Sequence, residues 1–164
     1  MRVYLPTTLN LLAEALAPAG PRELAAGSGF AVTPGMREWY ASGDTEELEY
    51  IALSLAAAAS VALISADPGA VRRRVVVAAD VDPAALSIAE DDTRATRGRV
   101  AVTQPVAFAR VAAVHVDDES AAPAVQAAAV DPSDEFAAEE AADHELLWYA
   151  TQEVDELLQG FAGS

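Results

Sequence analysis

The chain has 164 residues, 52% of them hydrophobic, and a formal net charge of −16 at pH 7. Its length points to one domain, and the absence of cysteine excludes disulfides, zinc–thiolate sites, iron–sulfur clusters and cysteine nucleophiles. All ten basic residues are arginine and lie before Asp117 with thirteen of the 26 acids, so residues 1–116 carry about −3 and the remainder about −13.

Residues 2–5 alternate and form a first strand stopped by Pro6. Thr7 or Thr8 caps a helix over residues 9–16, with Leu9, Leu12 and Leu16 on one face. Pro18, Gly20 and Pro21 end it. Residues 29–33 read as a short strand. Thr33 followed by Pro34 is a cap and first position for a short helix over residues 35–41. Asp44 with Glu47 three positions on has the pattern of a capping box. The helix it opens runs to about residue 65, with an apolar stripe of Leu48, Ile51, Leu55 and Ala59 or Ala62.

Residues 72–80 form a strand whose Val75, Val76 and Val77 suit the interior of a sheet. Residues 90–98 are a charged loop. Residues 99–103 and 111–116 are strands, with a turn of helix over 106–110 between them. Residues 117–120 cap a helix to about residue 130, in which Pro123 fits only the first turn. Residues 131–143 are acidic and poor in bulky side chains, a loop with the composition of a mobile segment. Residues 146–149 dock as a strand or helix start, and Val154, Leu157, Leu158 and Phe161 close the chain with an amphipathic helix. This order predicts an α+β domain over residues 1–164, built on one mixed sheet of about five to six strands with helices packed on it.

Two histidines are present, each beside carboxylates: His115 with Asp117, and His144 with Glu145. If the two segments met, they would offer imidazole and carboxylate ligands to a divalent metal. The simpler reading puts His115 opposite Val114 and Val116 on its strand and leaves the acids to cap the next helix; no recognised ligand spacing is present, and no metal is predicted. Arg74 ends an arginine triplet that could clamp phosphate, but pairing with this protein's own acids is favoured. Arg37, Trp39, Tyr40 and Trp148 belong to two aromatic clusters, Trp39–Tyr40 and Trp148–Tyr149, which read as core or, if exposed, as an interface. Carboxylate pairs such as Glu46/Glu47 and Asp91/Asp92 sit on charged stretches where nothing marks a general acid. Serine-nucleophile motifs, phosphate loops and dinucleotide fingerprints are missing.

Residues 2–8, 30–34, 37–40, 46–50, 73–81, 114–118 and 144–149 together resemble a family of uncharacterised actinobacterial proteins. The resemblance covers nearly the whole chain and implies source and compartment but no chemistry. A second resemblance is one of layout. Tyr4, Leu5, Pro6 and Thr7 followed by a helix, the valine-rich strand ending at Asp80-Val81-Asp82-Pro83, and the strand–proline–strand over residues 99–116 are similar to ADP-ribosyltransferase-like folds. It implies a related scaffold, with Tyr4 and Thr7 at the family's first-strand positions. Leu5 stands where that family has histidine, and residues 99–108 contain no glutamate for the catalytic acid.

The N-terminus lacks a signal-peptide run, and the apolar stretch over residues 53–66 is shorter than the about 20 residues a bilayer needs. The expectation is a cytoplasmic, non-enzymatic interaction or regulatory module. Its acidic C-terminal region would meet a basic protein surface, or mimic nucleic acid toward a nucleic-acid-binding protein. Direct binding to nucleic acid or membranes is not expected of so acidic a surface, and no cofactor is predicted. The alternative is a diverged ADP-ribosyltransferase-like or metal-dependent enzyme using Tyr4, Thr7, Arg74, His115 or His144. A third reading is that the acids only keep an alanine-rich protein soluble.

Overall fold

The computed structural model describes residues 1–89 and 96–162. The charged loop read over residues 90–98 falls largely, and the Asp91/Asp92 pair wholly, outside them. In chain order the described elements are β1 (Arg2–Thr7), α1 (Leu9–Leu16), β2 (Glu23–Leu24), β3 (Gly27–Phe30), α2 (Pro34–Trp39), α3 (Thr45–Ala66), β4 (Val75–Asp80), β5 (Leu86–Ile88), β6 (Arg99–Val102), β7 (Val106–Ala107), β8 (Val111–Asp117), α4 (Ala122–Val130), α5 (Glu135–Ala142), β9 (Leu146–Ala150) and α6 (Thr151–Ala162).

Seven strands join in the order β5-β6-β3-β1-β4-β8-β9, and β2 pairs with β7 in a small separate ribbon. Every pairing is antiparallel. The class is α+β, but the sheet is larger than five to six strands and is not mixed. The additional strands are two or three residues long, too short to show a period-two pattern. Residues 106–110 open as β7 before one 3-10 turn.

Alternation along β4 builds two cores. Val75, Val77 and Ala79 face one side with Val3, Leu5, Val114 and Val116, under α1 and α6. Val76 and Ala78 face the other with Tyr4, Phe30, Met36 and Leu48. On this second side α3 packs across β1, β4 and β3. The same sheet face continues over β8 and β9 as His115, which is half-buried, and Trp148, which is exposed. A third cluster, Val61, Ile64, Val125, Ala128, Ala137 and Ala141, joins α3 to α4 and α5.

The helix starts are local. Thr8 accepts the Leu11 N–H at 3.1 Å, and Thr33 the Met36 N–H at 3.1 Å with Pro34 in the first turn. Asp44 and Glu47 form the reciprocal capping box, 2.9 and 3.2 Å. The buried face of α3, however, is Leu48, Ala52, Ala56, Ala57, Ser60, Val61 and Ile64, not the stripe of Leu48, Ile51, Leu55 and Ala59 or Ala62. The helix is apolar around most of its circumference because sheet and neighbouring helices cover different sides, so hydrophobic period barely selects a face. Alanine faces the sheet where the approach is closest. By length and apolar composition this 22-residue helix could also cross a membrane; here it lies along the sheet.

The acidic segment over residues 131–143 is helical for most of its length rather than a loop. Asp134 accepts the Ala137 N–H at 3.2 Å, and alanine-rich Glu135–Ala142 follows as α5, with Ala137 and Ala141 buried. Alanine's helix propensity and two small contact residues suffice without bulky side chains.

Glycine is required at two crowded places. Gly98 has φ of +91°, and a Cβ there would lie 2.3 Å from Met36 Cε. At Gly29 a Cβ would meet Val3 and Leu5 side chains at 2.8 and 2.9 Å, where β3 lies against β1.

Candidate functional site

A groove runs along α3 beside the uncovered half of the sheet. Its widest part is a cavity of about 280 Å³ between α3 and β8–β9, walled by Tyr4, Glu49, Tyr50, His115 and Trp148. Tyr50 and Leu53 also wall a neighbouring cavity of about 190 Å³, where Arg74, His144 and Leu146 take over. Ser54 and Arg74 carry the groove into a third space of about 130 Å³ against Ala138 and Ala141 of α5.

Sheet register places the walls. Tyr4 pairs with Ala78, Ala78 with Ala113, Val76 with His115, and His115 with Trp148. Cross-strand partners share a face, so all of them look toward the α3 side. On α3, Glu46, Glu49, Tyr50 and Leu53 recur at helical spacing along its edge. Trp148 is 61% and Tyr50 58% exposed.

Arg74 anchors the middle of the groove. Its Nε and Nη2 donate to both carboxylate oxygens of Asp117 at 2.8 Å, and Nη2 also donates to the His144 carbonyl at 2.8 Å. The Arg74 backbone N–H donates to Asp117 Oδ2 at 2.8 Å. Both side chains are almost fully buried. A bidentate, hydrogen-bonded pair of this kind satisfies each charge inside the protein. It ties the end of β4 to the end of β8 and to the segment leading into β9.

Burial pushes the Tyr4 hydroxyl's pKa up, reinforced by the charge of Glu49. Burial pushes the His115 imidazole below its usual 6.5, favouring the neutral ring at pH 7. Arg2, at the groove's end, is held by Asp80 at 2.9 Å, which lowers the Asp80 pKa.

The family model for a family of unknown function, DUF6912, matches residues 1–158. The chain belongs to that family. No curated protein and no solved structure matches it.

In this DUF6912 chain the residues singled out from sequence fall into separate groups. Tyr4, His115 and Trp148 meet in the widest cavity, and Arg74 and His144 with Glu145 in the next. The two histidines line different cavities. Among the described residues no three of the His, Asp and Glu side chains come together as a metal site would require. Asp117 is buried under Arg74. Thr7 lies at the end of β1, outside this groove, and its carbonyl accepts the Ser60 hydroxyl at 2.8 Å. Arg37 is exposed on α2. Tyr40 packs half-buried on the α3-side core. Trp39 is exposed and lies under the Arg97 guanidinium, 4.2 Å from its ring centre. Neither tryptophan is core. The pairing of Arg74 with an acid of this chain is present; Arg72 instead bonds Gln126 and Arg73 the Asp117 carbonyl.

Glu49, Tyr50 and Leu53 are groove residues that the sequence did not single out, and Glu46 stood out only as half of an exposed carboxylate pair. Their signal was the 46–49–50–53 spacing on one helical edge, adjoining the alanine face that meets the sheet.

Proposed function

We propose that this protein is a non-enzymatic interaction module whose acidic C-terminal surface docks a basic surface on another protein. One observation carries the reading. Of the thirteen carboxylates from Asp117 onward, all but Asp117 are exposed. The two ion pairs joining described residues, Arg2–Asp80 and Arg74–Asp117, engage none of the exposed ones. The charge sits on folded helices, with Glu135, Glu139 and Glu140 outward while Ala137 and Ala141 hold α5 in place. A fixed array of like charges raises the encounter rate and selectivity for a cationic partner. A nucleic-acid-binding protein is the special case in which that partner's surface is built for phosphates.

The test is fluorescence anisotropy with a labelled arginine-rich peptide at about 50 and about 300 mM salt, across which exposed charges become strongly screened. Glu135, Glu139 and Glu140 are replaced together by glutamine, and Glu14, Glu23 and Glu38 likewise in a control of equal charge. The expected result is steep salt dependence and an about tenfold loss confined to the α5 variant, equivalent to ~1.4 kcal/mol. Equal losses in the two variants would reduce the acids to a general solubility role. Stabilisation by NAD or a divalent cation would move the reading to an enzyme.

A further inference from the structure

The widest cavity of the groove has the chemistry of a receptor for one guanidinium group. We infer that Tyr4, Glu49, Tyr50 and Trp148, with Glu46 at the rim, bind an arginine side chain presented by a segment of the partner protein. This names the group recognised at the docking surface proposed above and rests on that reading.

Four observations converge. First, Trp148 and Tyr50 are both more than half exposed and wall the same cavity. Aromatic faces attract cations, and a planar guanidinium can stack on them as well. Second, the protein already uses this contact elsewhere: Arg97 lies 4.2 Å from the Trp39 ring centre. Among the described residues no cation lies over Trp148. Third, the cavity's charge is negative. Glu46 and Glu49 face it, the Arg2 of its wall is held by Asp80, and the remaining titratable wall groups are Tyr4, Tyr50 and His115. Two carboxylates beside aromatic rings suit a cation with several directed donors, which arginine offers and a compact ammonium does not.

The fourth observation is Tyr4. It is only 7% exposed, it lines the cavity, and its hydroxyl has no hydrogen-bond partner among the described residues. The ring is buried while the oxygen itself opens onto the cavity, where it is free to accept a hydrogen bond. A guanidinium N–H entering the cavity can donate to that oxygen. The cavity, about 280 Å³ and open on one side, admits a side chain entering from a docked segment. The acidic surface of α5 flanks the far end of the same groove, through the spaces walled by Ser54, Arg74 and Ala138. A basic segment lying along it would seat one arginine in the aromatic cavity and leave other cations near the α5 carboxylates.

The probe is a blocked peptide of arginine and glycine, compared with versions carrying lysine or the neutral isostere citrulline. Binding is followed by calorimetry and by the Trp148 indole N–H resonance. The expected order is arginine, then lysine, then citrulline, with about tenfold loss from arginine to citrulline. Trp148→Ala and Glu49→Gln are each expected to weaken the arginine peptide by about tenfold and to narrow its margin over lysine. Tyr4→Phe tests the hydroxyl without removing the ring and is expected to cost the arginine peptide several-fold. Circular dichroism and thermal melting of each variant separate lost binding from lost fold; Glu49→Gln, at a half-exposed position, keeps the test open if Trp148→Ala melts.

Citrulline binding as tightly as arginine, or unchanged affinity in the folded Trp148 and Glu49 variants, would overturn the pocket. If arginine peptides bound regardless of those variants but were lost on neutralising α5, the docking reading would survive and the pocket alone would fall. If no basic peptide bound at low salt, both would fall. A dimer in sedimentation that Trp148→Ala dissolves would assign the exposed indole to self-association and overturn the proposal.

Discussion

The charge on Asp117 is compensated by three 2.8 Å hydrogen bonds, two from the Arg74 guanidinium and one from its backbone N–H. Removing one member leaves the other buried and charged, which typically costs about 3–5 kcal/mol. Asp117→Ala is therefore expected to lower the urea midpoint sharply, while Asp118→Ala, at an exposed neighbour that loses only its turn contacts with Ser120, shifts it far less. Comparable losses at the two positions would show that the pair adds little. His115 makes a pH prediction. Its folded-state pKa lies below 6.5, so between the two values the unfolded chain binds more protons. Its contribution is fully present above about pH 6.5 and is lost as pH falls from there through the folded pKa. Urea titrations at a series of pH values are expected to show wild type losing stability below that point relative to His115→Gln. Parallel curves would contradict a buried neutral ring. Residue chemistry of this kind was partly legible. That Val114 and Val116 oppose His115 follows from strand alternation, and both valines are indeed buried in the core under α1 and α6, on the sheet face away from the histidine. That Asp117 is a buried counter-ion while Asp118, next in line, stays exposed does not follow from sequence, because it depends on the register that sets Asp117 beside Arg74.

At the scale of elements, α3 shows how a helix of small residues is held. Ser60 is fully buried; its hydroxyl donates to the Thr7 carbonyl at 2.8 Å and accepts the Val75 N–H at 3.1 Å. One side chain thus bridges the ends of β1 and β4. Ser60→Ala leaves a buried carbonyl and N–H without it, an expected loss of about 1–3 kcal/mol by chemical denaturation; a loss near zero would mean the strands re-pair on their own. Ala56 has no exposed surface against the sheet. Ala56→Leu is expected to overpack that contact by about 1–3 kcal/mol, whereas Ala62→Leu on the exposed side is expected to be near neutral. The reverse order would restore the stripe that includes Ala62. The helix start was legible because Asp44 and Glu47 carry a local signature. Its buried face was not, since alanines all round the helix leave periodicity little contrast. The helix over Glu135–Ala142 was hidden for a related reason: its stabilising contacts are Ala137 and Ala141, which look like solvent-facing residues in an acidic tract.

For the whole molecule, strand order is what assembles the groove. Tyr4, His115 and Trp148 are far apart in the chain; the neighbour relations β1-β4-β8-β9 bring them to one cavity, and α3, packed across the sheet, adds Glu49. Sequence periodicity assigns strands but carries no strand order, so the lopsided charge was legible while the aromatic site beside it was not. The same charge distribution bears on stability. A net charge of −16 with its exposed C-terminal carboxylates unpaired by described arginines makes the folded state self-repelling. The unfolded chain spreads those charges apart and suffers less. Salt screens the compact state more, since the Debye length falls from about 30 Å at 0.01 M to about 8 Å at 0.15 M. Melting temperature is therefore expected to rise by a few degrees over that range, each ~1 kcal/mol corresponding to about 2–4 °C for a chain of this size. The glutamine variant at Glu135, Glu139 and Glu140 should start higher at low salt and gain less from added salt. A melting temperature that falls as salt is added would mean that attractive pairs, not repulsion, dominate the surface. In that case the carboxylates of α5 would already be neutralised within the protein, and their availability to a basic partner would be lost with them.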